Sequence, residues 1–428
     1  VAASGWIGGD AEGWERGPYW LDGVVPLAVL LGDEALLAKV HRWVDYILTH
    51  QHADGWLGPV RDTSRGDKYR AYDPWPVFVA LKALIQYQEA TGDLRVIPAM
   101  ERFLRRLAGL LEEQPLFSWG QHRWADLVLS IHWLYARTGE DWLLDLAETA
   151  HAQGFDWGAH YAAFPYTART RPEERNLVSH VVNNAMAIKT PAVWYRQSGE
   201  AIDRQGAYTA IEVLDRYHGQ VTGVFSGDEH LAGLDPSQGT ELCAVNEYLY
   251  SLEVLLAILG DPAFGDRLER IAFNALPATF TPDMWAHQYD QQANQPLCAV
   301  TGEHRVYTSN GPDANIFGLE PNYGCCTANL SQGWPKFAAG LWMRTPDDGL
   351  AAVALAPSEV RATLGGVGVR VTCETGYPFR ESLTITVRPE RPVRFPLLVR
   401  IPAWAQGARV GGAPAEPGAF CRVEREWP

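Results

Sequence analysis

A short glycine–acid turn recurs along the chain and is the feature that most limits its fold. The turns read LLGDEALL, ATGDLRVI, RTGEDWLL, QSGEAIDR and ILGDPAFG, and their glycines are Gly32, Gly92, Gly139, Gly199 and Gly260. Successive glycines are 60, 47, 60 and 61 residues apart. Glycine suits the left-handed position that ends a helix, and the acid after it suits the first turn of the next helix. Each turn therefore predicts a helical hairpin.

The runs beside these turns have helical periodicity. Within 73–93, Val77, Leu81 and Leu84 fall at positions i, i+4 and i+7. A sixth, less regular unit begins at Cys325. Five or six such hairpins predict a mainly α chain that forms a helical solenoid or its closed form, an (α/α)6 barrel. Two long loops, 155–177 and 219–239, enter this array, and loops of that length are usually functional.

The pattern changes near Gly349. Short β-prone runs such as VGVRVTCE and SLTITVRPE alternate there with Gly, Pro and charged turns. We therefore expect a barrel domain over 1–345 and a partial antiparallel β-sandwich domain over 346–428. The first residue is not Met, no signal peptide is visible, and the end looks like a cut through strands. We expect a fragment with a truncated β domain.

Composition limits the ligand. A net charge of −15 and the lack of a long apolar run disfavour nucleic acid and membrane partners. Six cysteines are too few for a disulfide scaffold, so reduced thiols and a cytoplasmic location are favoured, although the chain ends leave the location open. The 17 Trp and 17 Tyr offer flat faces for sugar rings, although most should pack in the core. We expect a small neutral sugar or oligosaccharide as ligand, with a homodimer left open.

Two adjacent thiols, Cys325 and Cys326, raise a question of chemistry. Neighbouring cysteines rarely pair with each other, so they could be buried filler, halves of separate disulfides, metal ligands, or a reactive thiol with a companion. TELC places Glu241 and Cys243 at the start of an apolar helical run. Three thiolates and one carboxylate form a four-ligand set suited to tetrahedral Zn²⁺. The alternative is that these cysteines are simply buried.

A metal-bound thiolate is a nucleophile at neutral pH, and it would need a partner that protonates the leaving group. Glu229, in the stretch SGDEH, lies on the long loop just before Glu241 and is the best candidate for this acid. Asp228 is its neighbouring rival. A solvated loop carboxylate is the alternative interpretation.

Polar and aromatic side chains recur where the predicted helices begin. They are Glu15, Arg16, Tyr19, Asp73, Trp75, His122, Trp124, Asp126, His180, Asn183 and Asn184. Each can be structural, and Asp126 in particular can be a helix-capping charge. Together they form the pattern expected of one barrel mouth lined for a sugar. We take Asp73, Trp124 and Asp126 as candidate substrate-binding residues.

Four stretches, GWERGPYWLDG, NNAMAIKTPAVWYRQSG, SGDEHLAG with SQGTELC, and YGCC, occur in order over 13–343. In these stretches the chain resembles the β-L-arabinofuranosidases of glycoside hydrolase family 127 and their close relatives. Glu-x-Cys followed further along by Cys-Cys is the most specific part. The resemblance implies an (α/α)6 barrel followed by β-sandwich domains. It also implies a Zn²⁺ ion held by Glu241, Cys243, Cys325 and Cys326.

The same resemblance implies roles in a retaining exo-glycosidase, most closely a β-L-arabinofuranosidase. Cys325 would be the nucleophile and Glu229 the general acid/base, while His180 and Tyr289 would contact the sugar. The two-step reaction would pass through a glycosyl thioether that water then hydrolyses. The surroundings of Glu229 differ from those of the arabinofuranosidases proper, and the family has branches for other sugars. The barrel and the metal therefore carry over better than the substrate.

Two other classes of protein remain open at this point. One is an epimerase or lyase on the same barrel, with His180 and Glu229 as its acid/base pair and a structural zinc ion. The other is a non-catalytic carbohydrate-binding protein.

Overall fold

The computed structural model describes residues 3–61, 70–295, 297–300, 311–319 and 323–428. The helices are α1 Arg16–Leu31, α2 Glu34–Thr49, α3 Trp75–Thr91, α4 Val96–Glu113, α5 Ser118–His122, α6 Trp124–Thr138, α7 Trp142–Gln153, α8 Trp157–Ala162, α9 Val181–Ala187, α10 Thr190–Ser198, α11 Ala201–His218, α12 Leu242–Leu259, α13 Pro262–Arg270, α14 Leu276–Ala278, α15 Gly324–Asn329 and α16 Gly333–Ala339. A π-helical turn, Ile271–Ala275, joins α13 to α14, and 3-10 turns cover Gly5–Ile7, Pro172–Glu174 and Leu330–Gln332.

Strands occur in two parts of the described chain. The strands are β1 Gly227–Asp228, β2 His230–Leu231, β3 Gly239–Glu241, β4 Asp290–Gln292, β5 Trp342–Arg344, β6 Leu350–Ala352, β7 Ser358–Leu364, β8 Val367–Thr375, β9 Leu383–Pro389, β10 Val393–Ile401, β11 Arg409–Val410, β12 Ala413–Pro414 and β13 Ala419–Trp427. The first four form one small sheet in the order β2-β1-β3-β4.

Six helical segments form a closed ring. In ring order they are α1, α3, α6, α9 with α10, α12, and α15 with α16, which packs back against α1. The helices α2, α4, α7, α11 and α13 each follow an inner helix and return along the outside. This arrangement is the predicted (α/α)6 barrel.

The predicted turns end five of the inner segments. The glycines of the five turns have φ between 62° and 70°, in the left-handed region where a Cβ atom would be strained. Because each inner helix runs towards its own glycine, the inner helices begin together at the opposite end. That end is the mouth of the barrel, and it collects the polar side chains that precede each helix.

The sixth inner segment is irregular, as predicted. A 3-10 turn separates α15 from α16, and the chain then enters β5 instead of an outer helix. Gly333, the first residue of α16, packs so closely that a Cβ atom there would lie 2.6 Å from Asn246 Oδ1. Pro335 cannot donate a backbone hydrogen bond, so it suits the first turn of a new helix. The break lets the segment fit tightly against α12.

A group of paired buried charges fills the middle of the barrel. Three lysine Nζ atoms lie 4.8, 5.5 and 4.2 Å from the ring centroid of Tyr250, and they belong to Lys82, Lys189 and Lys336. Asp126 pairs with Lys82 and Lys189 at 3.1 Å each, and Asp22 pairs with Lys336 at 2.6 Å. These side chains come from five of the six inner segments, and Tyr250 comes from the remaining one. Buried charges persist only when paired in this way.

The C-terminal strands form a two-stranded sheet, β11-β12, and two larger sheets that surround a second core. The larger sheets have the orders β13-β10-β6-β5 and β7-β8-β9, and they enclose Leu364, Val371, Phe395 and Trp427. Pairing in 350–428 is antiparallel except between β6 and β10, which run parallel and so depart from the predicted pattern. The domain division between residues 345 and 346 remains a proposal. The sheet takes its β5 strand from just before that boundary.

Of the described helices, α12 is the one long and apolar enough to cross a membrane. Its most apolar window is 72% buried inside the fold, and a core helix passes the same test. The position of α12 in the inner ring accounts for its apolar composition.

Candidate active site

The loop between α11 and α12 is held against the start of α9. Glu229 lies between β1 and β2 with φ of 69°, a left-handed conformation that is unusual for a non-glycine residue. Its carbonyl accepts the Val181 N–H at 2.9 Å, and Leu231 N–H donates to Ser179 O at 3.1 Å. These contacts fix the Glu229 side chain at the barrel mouth.

The predicted ligand set forms one cluster at the mouth. Single ligand atoms of Glu241, Cys243, Cys325 and Cys326 all lie within 4.8 Å of one another. The Sγ atoms of Cys243 and Cys326 are 3.1 Å apart, and Cys326 Sγ is 3.8 Å from Glu241 Oε1. All four residues of the cluster lie at the starts of α12 and α15. The cysteines are free thiols, so the adjacent pair is not half of two disulfides.

The chemistry of this cluster fits a metal ion. Glu241 Oε2 is buried with no hydrogen-bond partner in the described chain. Burial, with the charges of Glu229, Cys325 and Asp228, raises the pKa of Glu241 well above its usual range. A cation bound by the three sulfurs and this carboxylate would satisfy the orphaned oxygen and the crowded negative charge. The cluster could therefore hold a metal ion.

The three sulfurs differ in access and in acidity. Cys243 and Cys326 are 4% and 0% exposed, whereas Cys325 is only partly buried. Hydrogen bonds from Cys243 and Cys326 lower the pKa of Cys325 to about 3. Burial raises the pKa of Cys243 and Cys326 well above the usual range. Among the three thiols of the cluster, that of Cys325 is therefore both the most accessible and the most acidic.

Two of the predicted sugar contacts hold the Glu229 carboxylate. His180 Nε2 lies 3.1 Å from Glu229 Oε2, and the Tyr289 hydroxyl donates to Oε1 at 2.8 Å. His180 Nδ1 accepts the Asn183 N–H at 3.3 Å, so Nε2 carries the proton and donates it towards Glu229. Burial raises the pKa of Glu229, but His180 and Tyr289 outweigh it and lower that pKa to about 2.

Other residues of this site were not predicted from the sequence. Tyr323 stacks on Tyr289 with ring centroids 3.8 Å apart, and His287 Nε2 contacts Thr327 Oγ1 at 3.0 Å. Tyr323 precedes the Cys-Cys pair by two residues, and His287 precedes Tyr289 by two. The available signal for both Tyr323 and His287 was that each lies close in sequence to a predicted site residue. Their own spacing carries no pattern.

A layer of aromatic rings and one guanidinium extends the mouth. The Arg123 guanidinium lies 4.3 Å from the centroid of Trp75 and 4.4 Å from that of Trp119. Glu15 accepts a hydrogen bond from Trp75 Nε1 at 2.5 Å, and burial raises the pKa of Glu15 to about 7. Trp119 meets the His180 ring edge-on at 5.1 Å. Glu15 and Trp75 were among the predicted mouth residues, whereas Arg123 and Trp119 were not.

The remaining candidate substrate-binding residues have protein partners. Asp126 is 1% exposed and pairs with two lysines, and Trp124 is 3% exposed and donates to Phe155 O at 3.1 Å. Asp73 accepts the Trp14 Nε1–H at 2.9 Å and Arg61 Nη1 at 3.1 Å. The described contacts do not bring these three side chains to the Cys–Glu cluster. Their role as sugar contacts stays a prediction.

Fold and site together define a helical-barrel glycoside hydrolase. The chain belongs to the GH127 β-L-arabinofuranosidase family. The model of its catalytic domain, described as "Beta-L-arabinofuranosidase, GH127 catalytic domain", matches residues 3–339, and that of the GH127 middle domain matches residues 350–428. The resemblance seen in the sequence motifs is thereby confirmed. By sequence, no curated protein matches the chain.

Three solved structures share the fold, and two of them are described as members of this family. A GH127 β-L-arabinofuranosidase from Geobacillus stearothermophilus T6 is 18% identical with a TM-score of 0.72, and the match covers 98% of this chain and 72% of that one. A GH127 β-arabinofuranosidase is 16% identical with a TM-score of 0.66, covering 98% and 71%. A protein described as a glycoside hydrolase is 16% identical with a TM-score of 0.69, covering 96% and 70%.

Proposed function

We propose that the protein is a retaining exo-acting β-L-arabinofuranosidase whose nucleophile is Cys325 and whose general acid/base is Glu229. The observation that carries the proposal is the convergence of Glu241, Cys243, Cys325 and Cys326 beside Glu229. Glu241 has a carboxylate oxygen within 4.8 Å of the Cys325 sulfur, and it also has one within 4.8 Å of a Glu229 carboxylate oxygen. This spacing supports a nucleophile and an acid that share one anomeric carbon, as a retaining reaction requires.

Zinc is the metal we propose for the cluster, since three thiolates and one carboxylate are the donors it prefers. When bound, it would keep the coordinated thiols deprotonated at neutral pH. Cys243, Cys326 and Glu241 would hold it from the buried side. Cys325, the most accessible sulfur, would face the substrate.

The bond changes follow from the two side chains. The Cys325 thiolate attacks the anomeric carbon, the bond to the leaving oxygen breaks, and Glu229 gives that oxygen a proton. Bound substrate removes water from the Glu229 side chain, which is 38% exposed, and this raises the pKa of Glu229 so that it can be protonated. In the second step Glu229 takes a proton from water, which displaces the sulfur and restores the starting configuration.

A panel of p-nitrophenyl glycosides tests the reaction class. We expect turnover of the β-L-arabinofuranoside and a first-formed product of retained configuration by NMR. An epimerase or lyase would release no arabinose, and a binding protein would turn over no substrate. Inverted product would contradict the covalent mechanism.

Two cysteine variants test the choice of nucleophile. We expect Cys325→Ser to lose turnover while the variant keeps its far-UV spectrum. Labelling with an arabinofuranosyl haloacetamide followed by peptide mass spectrometry should modify Cys325 in the parent protein. The control is Cys298→Ser, which changes an exposed cysteine outside the cluster and should leave both turnover and labelling unchanged. A label on Cys326 or Cys243 would reject the assignment.

Metal analysis tests the ligand set separately from activity. The purified protein should contain about one zinc ion per chain, as expected for a four-ligand site. Cys243→Ser should lower that content and also lower the melting temperature. Full metal content in this variant would remove Cys243 from the set.

A further inference from the structure

A second cleft lies outside the barrel ring, where the outer helix α13 meets the C-terminal strands. Its volume is about 770 Å³, and it is bordered by α13, the π-helical turn after it, and residues 377–379 and 404. Because α13 packs on the outside of the ring, this cleft is separate from the Cys–Glu cluster at the mouth. Its size lies in the range of sites that hold small ligands.

Large aromatic rings are exposed on one wall of this cleft. Phe379 and Trp404 are 91% and 60% exposed, although rings of this size are usually buried. Tyr377 lies almost parallel to Trp404, with an angle of 10° between the rings, and its hydroxyl donates to Glu269 at 2.5 Å. The hydrogen bond holds Tyr377 in place. The wall therefore offers flat faces whose ring positions are partly set in advance.

The opposite wall is polar but has no net charge. The lining side chains include two acids, Asp266 and Glu269, and two bases, Arg267 and Arg270. Within the described part of the chain, Arg270 donates through its Nε to Val221 O at 3.0 Å, and Asn274 donates through Nδ2 to Arg270 O at 2.8 Å. The Arg270 Nη groups and the Asn274 carbonyl oxygen are therefore available to a ligand. An uncharged ligand rich in hydroxyl groups matches this wall better than an anion or an apolar surface.

The π-helical turn is an independent sign of function. Ile271–Ala275 carries Phe273 and Asn274 into the lining of the cleft. Pro277 lacks the N–H that would bond to the Phe273 carbonyl in a regular helix, which favours an altered pattern here. Single π-helical turns are rare and occur often at functional sites.

We propose that this cleft binds a sugar ring of a neutral oligosaccharide or polysaccharide, away from the site of hydrolysis. Trp404 and Phe379 would stack on the apolar face of the ring, and Arg270 and Asn274 would bond its hydroxyls. The site would hold a longer carbohydrate while its end is cleaved in the barrel. The choice of an arabinose-containing probe rests on the proposed function.

Affinity electrophoresis in gels containing soluble arabinan tests the proposal, with Glu229→Gln as background to prevent hydrolysis. We expect Trp404→Leu, which keeps apolar bulk but loses the flat face, to weaken retardation about tenfold. Trp404→Phe should keep most of the retardation. Phe379→Ala, which removes the second exposed ring of the cleft, should also weaken it. Leu94→Ala, at an 80% exposed residue on a hairpin turn, is the surface control and should bind like its parent.

Turnover separates this proposal from the proposed function. Trp404→Leu in the otherwise native enzyme should leave kcat/KM for the p-nitrophenyl arabinofuranoside unchanged and raise KM for an oligosaccharide that ends in a β-L-arabinofuranosyl unit. If the protein did not turn over the p-nitrophenyl arabinofuranoside but arabinan still retarded it in a Trp404-dependent manner, the proposed arabinofuranosidase activity would be contradicted and the cleft proposal supported. Retardation equal in the parent, Trp404→Leu and Phe379→Ala proteins would overturn the cleft proposal. Self-association in sedimentation that Trp404→Leu abolishes would also overturn it, because a second copy would then occupy the cleft.

Discussion

Single residues at the barrel mouth act through the hydrogen bonds they give to Glu229. The Tyr289 hydroxyl donates to Glu229 at 2.8 Å, while its ring stacks on Tyr323. This hydrogen bond stabilises the ionised carboxylate and so contributes to its lowered pKa. Removing the hydroxyl should raise that pKa without disturbing the ring.

We therefore predict that Tyr289→Phe moves the alkaline limb of the kcat profile, which reports the enzyme–substrate complex, to higher pH and lowers the maximal kcat about tenfold, the effect of one lost hydrogen bond. Tyr323→Phe is the matched control. Its hydroxyl contacts Gly311 N at 3.1 Å and Asp313, not Glu229, so its profile should keep the parental limb. Equal shifts in both variants would mean that the effect comes from packing.

A second residue-scale effect concerns stability instead of catalysis. Glu253, on α12, has a buried Oε1 without a hydrogen-bond partner in the described chain. Burial raises its pKa to about 8, partly offset by Lys336. A carboxyl group whose pKa is higher in the folded than in the unfolded protein favours folding less as the pH rises between the two values. Stability should therefore fall from about pH 4.5 to about pH 8.

Glu253→Gln should remove this loss, since the amide does not titrate. We predict that the variant gains on the order of 2 kcal/mol relative to the parent between about pH 5 and about pH 7.5. Urea unfolding at both pH values measures the difference. Glu212→Gln, which changes a carboxylate that is 67% exposed, is the surface control. If the free energies of unfolding of Glu253→Gln and the parent differed by the same amount at both pH values, Glu253 would be ionised in the folded protein.

The local sequence predicted the four cluster ligands, but it predicted the residues that surround them in space less well. Glu-x-Cys and Cys-Cys are local patterns, and each brings two ligands to one helix start. The contact between Glu229 and His180 joins residues 49 positions apart, and Arg123 reaches Asn183 over 60 positions. Such partners are set by helix packing, which periodicity alone does not define. The family resemblance supplied His180 and Tyr289, and nothing supplied Arg123.

At the scale of elements, the inner helices are joined by charges as well as by apolar packing. Asp126 on α6 pairs with Lys82 on α3 and with Lys189 at the start of α10, and it is 1% exposed. The sequence placed Asp126 correctly near a helix start but could not tell whether it faces the mouth or the core. One turn of helix separates a position at the mouth from a position in the core. The lysines that pair with Asp126 in the core lie on other helices.

Asp126→Asn distinguishes the two roles. If Asp126 balances the lysines, its loss removes the carboxylate that pairs with Lys189 and the closer of the two that pair with Lys82. This should cost about 3–5 kcal/mol in the free energy of unfolding, with KM little changed. Glu101→Gln breaks the exposed pair with Arg105 and should cost less than about 1 kcal/mol. A stable Asp126→Asn protein with a raised KM would instead support the sugar contact predicted from the sequence.

The glycine turns within the helical hairpins explain why the barrel could be predicted from the sequence. Each turn carries a glycine with positive φ, so the ends of five inner helices can be read directly from the sequence. The sixth segment lacks that turn and breaks into short helices, which the sequence indicated only as irregularity. The parallel β6–β10 pair was missed because parallel partners are distant in sequence, whereas alternation indicates a strand but not its direction.

At the scale of the whole molecule, one arginine joins the barrel to the C-terminal sheets. Arg400, on β10, is fully buried and pairs with Asp266 and Glu269 of α13. Its Nε donates to Val353 O at 2.6 Å, and Glu269 also accepts the Leu355 N–H at 2.5 Å. The two regions have separate hydrophobic cores, so this polar junction is one of the contacts that couples their unfolding.

We predict that Arg400→Met removes the buried cation that pairs with Asp266 and Glu269 and lowers the free energy of unfolding by about 3–5 kcal/mol, mainly through the buried Glu269. The C-terminal sheets should then unfold before the barrel, so that one calorimetric transition separates into two. Arg394→Met is the matched control on the same strand, since Arg394 is 69% exposed and its pair with Glu424 contributes little. Hydrogen exchange should rise in β10 and β13 for Arg400→Met alone. A single transition at the parental temperature would mean that apolar contacts, and not this arginine, hold the two regions together.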